Sequence, residues 1–178
     1  MKKFRTMAVF FIVCLVVSIG YISVSANGNE VEVKIPIISV GDDATEIEIN
    51  EAINKAIEVD VKPYASVLVI KPFLIRSGST SSCQLYLRWS CPGHQCSMIS
   101  FDLLKLHNNS ILFPVTYANI GGSTIYCETG ASGSAFVRNV TIPTSVSNVY
   151  VKLSNVKAYI LTEGWISTVS FSGQVPFN

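Results

Sequence analysis

The chain has 178 residues, 13 of them basic and 12 acidic, and its formal net charge is +1. This balance argues against a nucleic-acid binder and against a protein held on anionic membranes by its overall charge. The length suits one domain with its own hydrophobic core.

The first 26 residues have the three parts of a secretory signal peptide. Three basic residues lie among the first five positions, an apolar run extends from Met7 to Val17, and Val24-Ser25-Ala26 forms a small-residue cleavage site. We therefore predict a signal peptide over residues 1–26 and a secreted, extracellular protein of bacterial origin. The alternative is a protein anchored in the membrane by an uncleaved leader, since the stretch from Met7 to Val24 is long enough to cross a bilayer.

The mature domain is predicted to comprise residues 27–178. Loss of the leader removes three of the 13 basic residues and leaves ten against 12 acidic ones, so the net charge becomes −2. Near the start of this domain, the apolar residues from Val31 to Ile37 alternate, which predicts a strand. Pro36 favours an edge position for this strand, because proline has no N–H to donate to a neighbour.

A helix is predicted in the segment that begins at Thr45. Thr45 and Glu48 have the spacing of a capping box, and Ile49 and Ile53 recur at a helical interval. The opposite face is mostly charged, so we expect one amphipathic helix packed on a sheet. The alternative is a strand over residues 46–49, where acidic and apolar residues alternate strictly, followed by a shorter helix.

From residue 58 onward, short alternating segments are separated by glycine, asparagine, serine and proline, which is typical of strands joined by turns. The sequence therefore predicts a mainly β fold: an antiparallel β-sandwich or jelly roll, in a single domain, with one short amphipathic helix near the mature N-terminus. Pro72 is expected to interrupt a strand, and residues 77–82 are expected to form a loop. The strands are expected at residues 66–71, 84–89, 98–106, 123–128, 135–142, 149–153, 156–161 and 165–171.

Four cysteines remain after removal of the leader. An even number in an exported chain predicts two disulfides, because thiols pair in an oxidising compartment. Pro92-Gly93 supplies a turn that can close a small loop, although sequence alone leaves all three connectivities open. The alternative is a metal site formed by Cys91, His94 and Cys96 with one further cysteine, but the spacing of these residues fits a zinc site only loosely. We therefore expect no metal and no cofactor. The favoured pairing is Cys91 with Cys96 and Cys83 with Cys127.

The groups that could catalyse a reaction are isolated from one another along the chain. The segment from Thr129 to Ser134 lacks the G-x-S-x-G pattern of a hydrolase, so it is predicted to be a hairpin connection. A glycosidase needs two carboxylates across a cleft, and a serine hydrolase needs a histidine beside its nucleophile. Enzyme activity is therefore the less favoured interpretation. The candidates considered for it are Asp102, Glu128, Glu163, His94 and His107.

The aromatic residues give a better indication of function. Rings presented on a sheet face or a loop rim bind sugars or peptides by stacking. We predict a secreted, non-enzymatic binding or interaction protein of the cell envelope or extracellular space, with a glycan or a protein as its ligand. The candidate ligand-binding residues are Trp89, Trp165, Tyr86 and Tyr126.

The alternative function is that of a secreted, membrane-active effector or toxin-like protein. In that case the glycine- and serine-rich stretches Ile120–Ser123 and Gly130–Ser134 would rearrange on a membrane. A hydrolase is the third interpretation, and nucleic acid is not an expected partner.

Overall fold

The computed structural model describes residues 23–24, 30–56 and 68–167. Within them the fold is mainly β, with one helix and one mixed sheet that curls on itself. No helix in these ranges is both long enough and apolar enough to span a membrane. The elements are β1 (Ser23–Val24), β2 (Glu30–Val40), α1 (Glu46–Ala56), β3 (Val69–Ser77), β4 (Ser82–Ser90), β5 (Cys96–His107), β6 (Thr116–Gly130), β7 (Ser132–Thr141), β8 (Asn148–Ser154), β9 (Lys157–Ile160) and β10 (Gly164–Ser167).

Most of the predicted signal peptide lies outside the described residues. Ser23 and Val24, at its end, form β1 and pair antiparallel with the first part of β2. Residues 168–171, which the sequence assigns to the last strand, also lie outside the described part of the chain.

The strands follow the order β10-β9-β5-β8-β2-β3-β4-β7, with β1 beside β2 and β6 along the other edge of β5. β5 pairs first with β9 and then with β8, so these two strands share one edge of it. β2 joins the two halves of the sheet, since its first part pairs with β8 and its last part pairs parallel with β3. The sheet is therefore mixed, whereas the sequence predicted a purely antiparallel one. The parallel pair arises because the connection from β2 to β3 contains α1 and is not a hairpin.

The structure corrects two predictions that were based on prolines. β2 is an interior strand and not an edge strand. Pro36 is its last residue opposite β8, and Ile37 is the first opposite β3, so the missing N–H falls where the strand changes partners. Pro72 does not interrupt a strand, because β3 continues through it and pairs it with Leu87 of β4.

One main hydrophobic core lies inside the curl of the sheet. Alternate residues of each strand face it, which is the consequence of the two-residue period of a strand. In β4, for example, Leu85 and Leu87 are fully buried, whereas Gln84 and Arg88 are not. β8 shows the same alternation, and in β5 the alternation shifts by one residue near position 102. The largest buried side chains of this core are Trp89, Phe101, Leu68, Ile70, Leu74, Leu85, Leu87, Ile99, Leu104, Leu106 and Ile142.

Helix α1 begins at a capping box, as the sequence predicts. The Thr45 backbone N–H and hydroxyl both donate to Glu48 Oε2 at 2.8 Å, and the Glu48 N–H donates to Thr45 Oγ1 at 3.4 Å. These bonds hold the pKa of the Glu48 carboxyl below its usual value. The apolar face of α1 packs through Ile53 against Phe73 and its neighbours on the outer side of β2 and β3, which forms a second, smaller core.

A buried arginine holds the loop between β7 and β8. The Arg76 side chain is 5% exposed, and its guanidinium donates hydrogen bonds to four carbonyl oxygens of that loop. Nε of Arg76 has no hydrogen-bond partner in the described part of the chain. The carbonyls and their distances from the guanidinium nitrogens are Ile142 (3.0 Å), Pro143 (2.9 Å), Thr144 (3.3 Å) and Val146 (3.2 Å).

Candidate functional site

An aromatic row crosses four neighbouring strands on the outer face of the sheet. Trp165 of β10 lies opposite Tyr159 of β9, Tyr159 lies opposite Met98 of β5, and Met98 lies opposite Tyr126 of β6. Directly opposed residues share a face, and the flanking Ile99 and Ala158 are buried, so all four of these side chains point away from the core. With strands about 4.8 Å apart, the row spans roughly 14 Å.

The two ends of the aromatic row are open to solvent. Tyr126 is 80% exposed and Trp165 is 47% exposed. The rings of Tyr159 and Trp165 meet edge to face, with centroids 5.5 Å apart and planes at 72°, which holds the indole in one orientation. The row therefore offers two accessible rings with a half-buried tyrosine and a half-buried methionine between them.

Polar groups border the aromatic row on the same face. Ser100 lies two residues after Met98 and is opposite Thr124 on one side and Lys157 on the other. The Thr124 hydroxyl donates to Ser100 Oγ at 3.3 Å. Beyond them, Asn155 Nδ2 donates to Asp102 Oδ2 at 2.6 Å, and Asp102 is exposed. Hydroxyl and ammonium groups thus lie about 7 Å from the row, and amide and carboxylate groups lie about 13 Å from it along β5. A ligand that extends from the row along β5 would meet these hydrogen-bond donors and acceptors.

The other two candidate aromatic residues lie elsewhere. Trp89 is 1% exposed; its indole Nε1 donates to the Gly130 carbonyl at 3.4 Å, and the ring fills the core. Tyr86 is half-buried on the outer face of the α1 half, where it stacks on Phe73 at 5.2 Å and meets Phe136 edge to face at 5.5 Å. The fold thus brings Trp165 and Tyr126 together and separates Trp89 and Tyr86 from them.

Three of the four cysteines form a cluster at one end of the sheet. Cys91 follows β4, Cys96 begins β5, and Cys127 lies on β6 where the pairing of β5 and β6 shifts register. Burial raises the pKa of the Cys91 thiol to about 11, with a smaller contribution from the nearby Cys96. Cys96 Sγ donates to the Met98 carbonyl at 3.5 Å, and Cys127 Sγ donates to the Ile125 carbonyl at 3.8 Å. The interaction between these two thiols raises the pKa of Cys96 and lowers that of Cys127.

The described part of the chain contains no disulfide, and all four of its cysteines are free thiols. Cys83 lies near the start of β4 and Cys91 directly follows its end, so eight residue steps of extended chain place their Cα atoms about 26 Å apart. The favoured pairing of Cys83 with Cys127 therefore does not match the arrangement, in which Cys127 is next to Cys96. Within the described ranges, no three histidine, cysteine, aspartate or glutamate side chains are grouped so that they could hold a metal ion.

Each of the two histidines that were considered for catalysis lies beside a carboxylate, and the two pairs are separate. His94 Nδ1 is 3.0 Å from Glu163 Oε1 beside the cysteine cluster, and His107 Nε2 is 3.5 Å from Glu32 Oε2 at the far end of β5. Asp102 is bonded to an asparagine, as described above. These pairs couple the ends of neighbouring strands and loops.

The structure also presents an apolar loop tip that the sequence analysis missed. Between β5 and β6, Ile111 is 96% exposed, Leu112 is 82% exposed and Phe113 is 78% exposed. Three adjacent large apolar side chains in a turn-forming segment, after Asn108-Asn109 and before Pro114, are the sequence signal that would have found it.

The backbone of this loop is held by one asparagine. Asn108 Oδ1 accepts the N–H groups of Ser110 at 3.1 Å and Val115 at 2.9 Å, and Asn108 Nδ2 donates to the Phe113 carbonyl at 2.8 Å. Ser110 Oγ also accepts the Phe113 N–H at 3.0 Å. These polar groups are satisfied within the loop, so the apolar side chains are held outward by a defined backbone.

We found no matching protein-family model, no similar curated protein and no similar solved structure for this chain.

Proposed function

We propose that this protein is an exported, non-enzymatic glycan-binding protein, and that the aromatic row is its binding face. The observation that carries the proposal is the alignment of Trp165, Tyr159, Met98 and Tyr126 across four strands. A protein ligand is the other binding partner that such a face could recognise.

The chemistry of the face suits a sugar chain. The C–H faces of a pyranose are apolar and pack on aromatic rings, while its hydroxyl groups require hydrogen-bond partners at the edge. Tyr126 and Trp165 supply exposed rings near opposite ends of the row, and Ser100, Asp102 and Lys157 supply polar groups beside it. A row of this length would bind a short oligosaccharide better than a single sugar, because two separated rings are engaged at once.

Export remains part of the proposal, on the strength of the N-terminal sequence. In an oxidising compartment we propose that Cys96 and Cys127 form the disulfide, since both lie where the pairing of β5 and β6 shifts register and their thiols interact. A dithiol oxidant in its disulfide form would accept attack by the Cys127 thiolate; Cys96 would then lose its proton and displace the reduced oxidant, so two thiols become one disulfide. We also propose that the two halves of the curled sheet pack as the layers of the predicted sandwich.

A glycan array with the full chain, followed by titration of the best-bound oligosaccharide, tests the binding face. Tyr126→Ala and Trp165→Ala should each weaken binding about threefold to tenfold, the value of one aromatic contact. Phe136→Ala is the matched control, because Phe136 is also 47% exposed but lies on β7, outside the row.

Equal affinity of all three variants would show that the row is not the binding face. A blank array together with a protein captured from envelope extract, and lost in Tyr126→Ala, would assign the same face to a protein ligand. If both measurements were blank, the proposed function would be wrong.

The membrane-active alternative loses part of its basis. The stretch Ile120–Ser123 lies inside β6 and pairs with β5, and Ser132–Ser134 lies inside β7 and pairs with β4. These segments are hydrogen-bonded strands, so rearrangement on a membrane would require breaking the sheet.

A further inference from the structure

We propose that the apolar loop tip, residues 111–113, inserts into the surface of a lipid bilayer that contains anionic lipids. This inference does not depend on glycan binding, because the tip and the aromatic row involve different residues of β5, β6 and their loop. It also differs from membrane disruption, since the loop would dock while the sheet stays intact.

The first step of the argument is the exposure of the tip. Large apolar side chains that project together into water usually mark a contact surface. Ile111, Leu112 and Phe113 are all more than three-quarters exposed. The Asn108 and Ser110 hydrogen bonds fix the backbone behind them, so insertion would require little ordering of the loop.

The second step is the charge behind the tip. Two rows of outward-facing residues cross β5, β8 and β2 near the loop. The first row is His107, Tyr150 and Lys34, and the second is Lys105, Lys152 and Glu32. These rows carry three lysines and one carboxylate. With three lysines against one carboxylate, the local charge is positive, although that of the mature domain is negative.

The lysines lie close enough to the tip to contact lipid headgroups when the tip inserts. Lys34 lies in the row of His107, the last residue of β5 before the loop. Lys105 lies two residues before His107, so its row is about 7 Å further from the loop. With the tip among the upper acyl chains, the lysine side chains would reach the anionic headgroups, where basic groups are attracted.

The lysine rows also bear on the choice of partner. A symmetric contact between two tips would bring the same lysines of both copies toward one another, whereas anionic headgroups carry the opposite charge. The lysine rows therefore favour an anionic bilayer over a second copy of the chain as the partner of the tip.

The test is flotation of the full chain with phosphatidylcholine vesicles and with vesicles that contain about 30% phosphatidylglycerol, an anionic fraction that gives a clear surface potential. All variants keep the same N-terminal segment, so its contribution is common to them. Replacement of Ile111, Leu112 and Phe113 by serine should reduce binding to the anionic vesicles at least about tenfold. Leu161→Ser is the matched control, because Leu161 is 50% exposed and its backbone N–H donates to the Gln95 carbonyl, at the other end of β5 from the tip, and this variant should bind as wild type.

Two further variants test the mechanism locally. Lys34→Ala with Lys105→Ala should weaken binding about threefold to tenfold, and the loss should shrink at high salt. Phe113→Trp places a reporter in the tip, and its emission should shift to the blue and be quenched by brominated lipids beyond the quenching of wild type. This readout follows the tip even where the N-terminal segment binds the vesicles.

Several outcomes would overturn the proposal. Unchanged binding of the serine variant together with an unquenched indole in Phe113→Trp, or a dimer of the wild type that the serine variant abolishes, would assign the tip no membrane role. Release of trapped dye at the same protein-to-lipid ratio would indicate disruption and not docking. Loss of vesicle binding in Tyr126→Ala, with binding retained in the serine variant, would assign the vesicle contact to the aromatic row and not to the tip.

Discussion

Trp89 and Gly133 stand directly opposite each other on β4 and β7, and the indole ring covers the glycine. A Cβ at position 133 would lie 2.5 Å from both Cη2 and Cζ2 of the ring. The absence of a side chain on β7 therefore makes room for the largest side chain of the core. In this position, the Trp89 indole N–H donates a hydrogen bond to the Gly130 carbonyl, at the turn that joins β6 to β7.

Gly133→Ala should destabilise the protein by about 1–3 kcal/mol, the usual cost of overpacking a filled core. Trp89 is 1% exposed and surrounded, so the ring cannot move aside freely. Gly121→Ala is the control, since a Cβ there meets nothing within 4 Å. Urea unfolding measures both changes. If the loss were the same in a Trp89→Leu background, the contact with the indole would not be its cause.

The two tryptophans should differ in their accessibility to a quencher. Trp165 is 47% exposed, whereas Trp89 is buried. In Trp89→Phe, acrylamide should quench most of the remaining emission, and in Trp165→Phe it should quench little. Ligand on the aromatic row should protect the first variant and leave the second unchanged. Equal quenching of the two variants would contradict the placement of Trp89 in the core.

Arg76→Ala should lower the free energy of unfolding by about 2–4 kcal/mol, because four carbonyl groups of the loop between β7 and β8 lose a charged donor. Arg138→Ala is the control: Arg138 is exposed on β7, and its loss should change stability by no more than about 0.5 kcal/mol. Hydrogen exchange should locate the loosening at residues 142–146. Equal effects of the two substitutions would indicate a general charge effect.

After reduction, Cys127 should be the first cysteine of the mature domain to react with a maleimide near neutral pH. It is half-buried, whereas the other three are buried, and its interaction with Cys96 lowers its pKa and so increases its thiolate fraction. Peptide mapping identifies the labelled residue. Cys96→Ala should slow the reaction, because this interaction is lost. Faster labelling of Cys83 would be incompatible with the described burial.

Under reducing conditions, the Cys91 thiol should make stability fall as the pH rises between about 9 and about 11. Burial raises its pKa in the folded protein to about 11 from 9.0, so the unfolded chain loses this proton first. The stability that the protonated, buried thiol contributes is fully present below pH 9. Between about pH 9 and about pH 11, the free energy of unfolding falls by up to about 1.4 kcal/mol for each pH unit. Urea unfolding of wild type and Cys91→Ala at several pH values isolates it, since lysines and tyrosines titrate in both. A difference that does not change with pH would refute it.

Local patterns predicted much of the secondary structure. Alternation identified β4, β5 and β8, and the Thr45–Glu48 spacing identified the start of α1, because both depend on residues within one turn or a few strand positions. Prolines misled the prediction for β2 and β3. The penalty for a missing N–H depends on what lies opposite, and at Pro36 the strand is changing partners there.

The candidate site was predicted only in part. Trp165 and Tyr126 were named from their residue type, but so was Trp89, which is in the core. Exposure separates these cases, and it depends on which face of which strand packs inward. The apolar loop tip was missed because apolar side chains were assigned to the core, whereas the Asn108 bonds hold the tip outward.

The sequence by itself determined where most strands occur and which residues within a strand share a face, because that alternation is a property of the backbone. The tertiary structure decided which strands are neighbours. It placed Trp165 and Tyr126, far apart in the chain, in one row with Tyr159 and Met98, and it grouped Cys96 with Cys127. Strand order and register minimise the free energy of the whole sheet and its core, and no single segment contains that information.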